Sequence, residues 1–237
     1  MKKFLRVTFS ILLILAFCGA AFAAGQTVKP SKSELKRMSV FISNFTEAGL
    51  FNFDLTADEA DEGGMEFEEP ITHLGNPANV TELIRFGILH NLINNRDSRI
   101  RKCKDKNCEA GELTIDRKFV EESVKKYFDI DLAKKDLRYV DPEENPSVVF
   151  SFDGKLFHFA AESFREPDND MTYYADVQGV TQRGKYLLLA GDIYNSRKIT
   201  DRPGIFAATV KPYKWNGKDT WAIIDMTTDW VTNAGRD

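Results

Sequence analysis

The chain has 237 residues, of which 43% are hydrophobic, and a formal net charge of −4. Its 18 phenylalanines are enough for a core rich in aromatic side chains. The acidic balance argues against a nucleic-acid-binding protein and against docking on anionic lipid.

The first 23 residues have the pattern of a cleavable signal peptide. A basic start with Lys2, Lys3 and Arg6 precedes an apolar run from Val7 to Phe17 and the small-residue site Ala21-Phe22-Ala23. Cleavage between Ala23 and Ala24 would remove three cations and leave a net charge of about −7. We therefore predict export to the periplasm or out of the cell, with no stable membrane span after cleavage.

Two alternatives to this cleavage stay open. A permanent anchor needs about 20 apolar residues, and this run is shorter. A lipoprotein would attach its lipid at Cys18, but such signals favour a small residue just before the cysteine, where this chain has Phe17. The pattern therefore favours cleavage at Ala23.

Loss of the signal peptide removes Cys18 and leaves two cysteines, Cys103 and Cys108. In an exported chain, two nearby cysteines are expected to form a disulfide, here a local staple of a polar turn. A zinc site would need two more ligands nearby, and a thioredoxin-type redox pair would have the spacing C-x-x-C rather than C-x4-C. We predict no metal ion and no other cofactor.

Three helices are predicted in the first half of the chain. The first begins at Ser31, three residues before Glu34, and ends at Gly49. The second covers about 77–95, and the third begins at Asp116 after a short strand. Residues 24–32 are predicted to be flexible, the acidic segment 54–69 to be a solvated loop, and residues 129–146 to be a connection.

From residue 147 the pattern changes to strands, and three hairpins are predicted: Ser147–Ala161, Tyr173–Tyr194 and Ile205–Met226. Their turns are placed at Asp153-Gly154, near Arg183-Gly184, and at Asn216-Gly217. The predicted fold is α+β, with three N-terminal helices packed on a C-terminal six-stranded antiparallel meander sheet. A curved sheet wrapped on helices resembles the NTF2-like or cystatin-like architecture. One domain over 24–237 is expected; the alternative is a helical subdomain over 24–110 and a β-rich domain over 111–237.

Five strand residues are candidates for lining a ligand pocket: His158, Asp176, Asp192, Tyr194 and Asp225. A two-residue turn at Asp153-Gly154 would pair Phe150 with Phe157 and place His158 on the opposite face. The three aspartates interrupt apolar runs, where a carboxylate is costly unless it is paired or functional. With Arg165 they could line the concave side of a curved sheet, although a solvent-facing position is the simpler interpretation.

No nucleophile motif or phosphate-binding loop stands out in the sequence. We therefore expect a non-enzymatic exported protein that binds a small molecule or an envelope protein. The alternative is an NTF2-like hydrolase or isomerase. It gains support if at least two of four side chains converge in one buried pocket: Asp176, Asp192, Asp225 and His158. A third hypothesis is a structural envelope protein that assembles through an exposed face.

Overall fold

The structure is a computed structural model that describes residues 25–55, 71–76, 79–104, 108, 111–134, 149–164 and 172–230. The signal peptide and its cleavage site, most of the acidic segment, most of the predicted connection, and Arg165 lie outside the described residues. The described part contains four α-helices and two sheets rich in antiparallel strands, which confirms the α+β class.

The helices are α1 (Lys32–Glu47), α2 (Val80–Asn94), α3 (Arg96–Arg99) and α4 (Arg117–Phe128), with short 3-10 turns at Leu132–Lys134 and Ala161–Phe164. Two predicted N-caps are confirmed, because Ser31 Oγ accepts the N–H of Glu34 and the Asp116 carboxylate accepts the N–H of Lys118. Gly49, with φ of +68°, follows the end of α1 as predicted. Helix α3 was not predicted, because four residues are too few to show a helical repeat.

The strands are β1 (Gln26–Val28), β2 (Phe53–Asp54), β3 (Thr72–His73), β4 (Ile100–Lys102), β5 (Leu113–Asp116), β6 (Phe150–Phe152), β7 (Leu156–Phe159), β8 (Tyr173–Arg183), β9 (Tyr186–Asn195), β10 (Gly204–Trp215) and β11 (Lys218–Trp230). The larger sheet has the order β1-β8-β9-β10-β11-β2-β3, and the smaller sheet has the order β4-β5-β7-β6. Neighbouring strands are antiparallel except for β2 and β3.

The two later hairpins are confirmed, and each closes in a two-residue turn. Gly184 opens the β8–β9 turn with φ of +59°. Asn216 and Gly217 form the β10–β11 turn with φ of +49° and +76°, the positive values that an Asn-Gly turn requires.

The prediction of a single six-stranded meander is wrong, because β6 and β7 belong to the smaller sheet. Strand β7 pairs with β5, so Phe157 lies opposite Ile115 and Phe159 lies opposite Leu113. All four side chains are buried. This pairing buries the apolar face of the hairpin, although the hairpin does not belong to the larger sheet.

The predicted register of the β6–β7 hairpin is also wrong, by two residues. Phe150 pairs with Phe159, and Phe152 pairs with Phe157. The cause is the turn, in which Asp153 Oδ1 accepts the N–H groups of Lys155 and Leu156 at 2.8 and 2.7 Å. A shift of two residues leaves every side chain on its predicted face, so His158 still points away from the buried phenylalanines.

The N-terminal segment is not wholly flexible, as the sequence suggested, because Gln26–Val28 pairs with Val180–Gln182 of β8. One continuous core joins α1, α2 and α4 to both sheets. At its centre, Phe45 of α1 contacts five other aromatic rings at centroid distances between 5.2 and 5.9 Å: Phe41, Phe53, Phe86, Tyr127 and Phe128. These contacts account for part of the high phenylalanine content.

Candidate functional site

Helix α1 lies along the edge of β8 and binds its backbone through three hydroxyl groups. Ser39 Oγ accepts the N–H of Val177 at 2.9 Å, and Ser43 Oγ accepts the N–H of Ala175 at 3.0 Å. Thr46 Oγ1 donates to the carbonyl of Tyr173 at 2.7 Å. The three residues recur at helical spacing on one side of α1, so the helix takes the place of a neighbouring strand.

A groove of about 540 Å³ runs between α1 and the larger sheet. We call the sheet face that carries Tyr174, Asp176, Asp192 and Tyr194 the outer face, because Ala175, Val177 and Ile193 on the other face belong to the core. On the helix side, Leu35 and Val40 contribute apolar surface, and Val40 is 59% exposed. Asn44 and Glu47 from α1 and Asn94 from the end of α2 add polar groups.

Two tyrosines and a glutamate form one part of the groove. Tyr174 and Tyr194 are paired across β8 and β9, with ring centroids 5.8 Å apart. Burial, the charge of Glu47 and nearby Tyr194 all raise the pKa of Tyr174. Burial also raises the pKa of Glu47, against the effect of a hydrogen bond with Asn94. The groove therefore contains a carboxyl group that is easier to protonate than usual, next to two phenols.

Asp176 and Asp192 lie directly opposite each other on the outer face, and Arg202 binds both. The guanidinium lies 2.9 Å from Asp176 Oδ2 and 2.7 Å from Asp192 Oδ2. Burial alone would lower the pKa of Arg202, but the hydrogen bonds and the two negative charges raise it. Gln178 also donates to Asp192 at 2.7 Å. Of these four residues, Asp176 lines the groove.

The structure thus brings three of the five candidates together on the outer face: Asp176, Asp192 and Tyr194. The other two lie elsewhere. Asp225 stands on β11 opposite Thr209 and Asp54, where burial and the charge of Asp54 raise its pKa and hydrogen bonds from Thr209 lower it. His158 stands in the smaller sheet, where it is buried.

Sequence reasoning missed Tyr174, Glu47 and Asn94. Tyr174 had a usable signal, because the predicted β8–β9 turn already places it near Tyr194 across the hairpin. Glu47 and Asn94 had no such signal in the sequence, since their positions beside the tyrosines depend on how the ends of α1 and α2 meet the sheet.

The predicted disulfide between Cys103 and Cys108 is confirmed. Within the described ranges, no group of three or more histidine, cysteine, aspartate or glutamate side chains could hold a metal ion. No helix in that part of the chain is long and apolar enough to cross a membrane. Comparisons with protein-family models, with curated proteins and with solved structures find no match.

Proposed function

We propose that this is an exported, non-enzymatic binding protein whose ligand occupies the groove between α1 and the outer face. The observation that carries the proposal is the groove itself, with the tyrosine pair beside an open volume of about 540 Å³. Concave surfaces that combine aromatic and apolar side chains with a few polar groups are typical of small-molecule sites.

The groove chemistry favours a small, flat or ring-shaped molecule that carries amino or hydroxyl groups. Tyr174 offers a ring face for stacking or for a cation, whereas the ring of Tyr194 already lies under the guanidinium of Arg202. The carboxylates of Glu47 and Asp176 accept hydrogen bonds, and the amides of Asn44 and Asn94 both donate and accept them.

The state of the two strand aspartates supports binding rather than catalysis. Arg202 holds both carboxylates, and an arginine does not give up its proton in a protein. A general acid or base must exchange a proton with its substrate, and these paired carboxylates are poorly suited to that task.

The same proposal includes an exported, single-domain chain of NTF2-like or cystatin-like architecture. The disulfide supports an oxidising location. The strand order β1-β8-β9-β10-β11, with α1 packed along β8, supports a curved sheet around a helix. The pairing of β1 with β8 supports one domain, because it joins the start of the chain to the last third.

The test is a thermal-shift screen of the mature chain against sugars, amines and other small polar metabolites. A ligand at a hundred times its Kd stabilises the folded state by about 2.7 kcal/mol, which corresponds to a rise in Tm of roughly 5–10 °C for a chain of this size. Tyr174→Ala should abolish the rise, whereas Tyr186→Ala, on β9 but outside the groove, should preserve it. A ligand whose shift survives Tyr174→Ala would bind elsewhere and would contradict the proposal.

Glu47 favours a second candidate, a hydrolase or isomerase that uses this carboxyl as its acid or base. Its raised pKa and its place in the groove are the observations in favour. Glu47→Gln separates the two candidates once a ligand is known. An enzyme would lose turnover and still bind, whereas a binding protein would show no turnover in either form.

A further inference from the structure

The disulfide of the smaller sheet lies beside a histidine. The Nδ1 atom of His158 is 3.6 Å from the sulfur of Cys103, and its Nε2 atom is 2.9 Å from Oδ2 of Asp153. His158 is buried, and the two cysteines are partly exposed. Asp153, His158 and Cys103 therefore form a line from a carboxylate through an imidazole to a sulfur of the disulfide.

Strand pairing produces this line. Thr114 of β5 lies opposite Arg101 of β4 on one side and opposite His158 of β7 on the other. Cys103 is two residues beyond Arg101 and shares its side of the sheet, so its side chain lies on the same face as His158 and meets it across the intervening strand β5. The N–H of Cys103 donates to the carbonyl of Glu112 at 2.8 Å, which fixes the end of β4 next to β5.

Asp153 determines which nitrogen of His158 faces the sulfur. In the neutral ring, a proton on Nε2 that is donated to Asp153 leaves Nδ1 as a bare acceptor directed at Cys103. Burial would raise the pKa of Asp153, but hydrogen bonds from His158 and from the backbone of Leu156 and Lys155 lower it to about 2. The carboxylate is therefore ionised at neutral pH. A carboxylate that orients a histidine toward a nucleophile is a recurrent arrangement in cysteine and serine chemistry.

We propose that Cys103–Cys108 is a thiol–disulfide exchange site for a dithiol partner, in which His158 exchanges a proton with Cys103 and Asp153 positions His158. One thiol of the partner gives its proton to Nδ1 of His158 and attacks Sγ of Cys108. The Sγ–Sγ bond breaks, and Cys103 leaves as a thiolate that takes this proton from His158. The second partner thiol loses its proton to solvent and attacks the partner's own sulfur in the mixed disulfide, which releases Cys108 as a thiolate that is protonated from solvent. The partner loses two electrons and two protons in forming its own disulfide, and Cys103 and Cys108 gain them.

The first experiment compares two single-cysteine variants of the mature chain. Cys108→Ser leaves Cys103 beside His158, and Cys103→Ser leaves Cys108 as the matched control. A thiolate beside an imidazolium forms at lower pH, which raises its rate of reaction at about pH 6. A thiol of lower pKa is also less nucleophilic, and this offsets part of the increase in rate. At about pH 6, we expect Cys103 to react with iodoacetamide about tenfold faster than Cys108, and to show the ultraviolet absorbance of a thiolate that Cys108 lacks. Equal rates would overturn the proposal.

The second experiment replaces the histidine. His158→Gln keeps a donor near Asp153 and removes the nitrogen that faces the sulfur, so the Cys103 rate should fall to that of Cys108. In the chain with both cysteines, oxidation of a synthetic two-cysteine peptide should slow about tenfold. Circular dichroism checks the fold, and Asp153→Asn, which can retain the turn through its Oδ1 atom, serves as the second variant and should slow both reactions. A disulfide that is only a structural staple predicts unchanged rates in both variants, and that result would overturn the proposal.

Discussion

Each of the two sheets places aspartate next to a basic side chain, but the basic residue differs: it is arginine in the larger sheet and histidine in the smaller one. In the larger sheet, Arg202 is bound to two carboxylates and stays charged at any working pH. In the smaller sheet, Asp153 occupies one nitrogen of His158 and leaves the second facing a sulfur. The ion pairs of Arg202 hold side chains of the outer face in place, whereas His158 in the smaller sheet can transfer a proton. A carboxylate in a strand or in the turn beside it is therefore informative only once its partner is known.

The largest expected effect tests whether the two sheets unfold together. Phe45 at the centre of the helix core and Phe157 in the smaller sheet are both fully buried. Truncation of either to alanine should reduce the free energy of unfolding by about 3–5 kcal/mol. All three tryptophans lie in β10 and β11 of the larger sheet, so their fluorescence during urea unfolding reports on that sheet.

If the chain is one cooperative unit, Phe157→Ala shifts the tryptophan transition as much as Phe45→Ala does. The exposed Val40 is the control, because Val40→Ala should change stability by no more than about 0.5 kcal/mol. If Phe157→Ala leaves the tryptophan transition unchanged, the two sheets unfold as separate units.

A smaller effect is expected where α1 meets β8. Ser43→Ala leaves the N–H of Ala175 without the acceptor that Ser43 supplies, in a buried position. The loss should be about 1–3 kcal/mol in the free energy of unfolding, with faster hydrogen exchange at the Ala175 amide. Ser163 is exposed, and Ser163→Ala provides the matched control. Equal effects of the two substitutions would mean that α1 does not stabilise this edge.

The smallest expected effect is a difference in the pH dependence of stability between one carboxylate of each sheet, Asp153 and Asp225. The pKa of Asp153 is lowered to about 2, from an ordinary 3.8, so its stabilising contribution is present above about pH 4 and is lost as the pH falls toward 2. The pKa of Asp225 is raised, chiefly by burial, so its ionisation reduces stability as the pH rises above 3.8.

Asp153→Asn should therefore lower the free energy of unfolding at neutral pH, and Asp225→Asn should raise it. Both differences from the unmodified chain should shrink toward pH 2, as urea titrations at several pH values would show. Asp219→Asn is the control, because the side chain of Asp219 is 83% exposed and its loss of charge should leave stability nearly unchanged. Changes of the same sign in the two variants would contradict the opposite environments assigned to them.

Local signals in the sequence predicted much of the fold. Caps at Ser31 and Asp116, the Asn216-Gly217 turn and the cysteine spacing each depend on a few neighbouring residues, and each is confirmed. The division into two sheets was not predictable, because the alternation in β6 and β7 is satisfied by any apolar partner and β5 supplies one. The groove and the contact between Cys103 and His158 depend on which strands become neighbours, and no local pattern encodes that choice.

The hydroxyl contacts between α1 and β8 also bear on how the chain folds. They join residues 127 to 138 positions apart, so the helix near the start of the chain completes its contacts only when β8 has formed. Contacts of such long range form slowly, because closing a long loop costs conformational entropy before the contact stabilises it. Until α1 docks, the free edge of β8 is a template on which a strand of another molecule could pair. The closing of this edge should therefore govern how readily newly made chains aggregate.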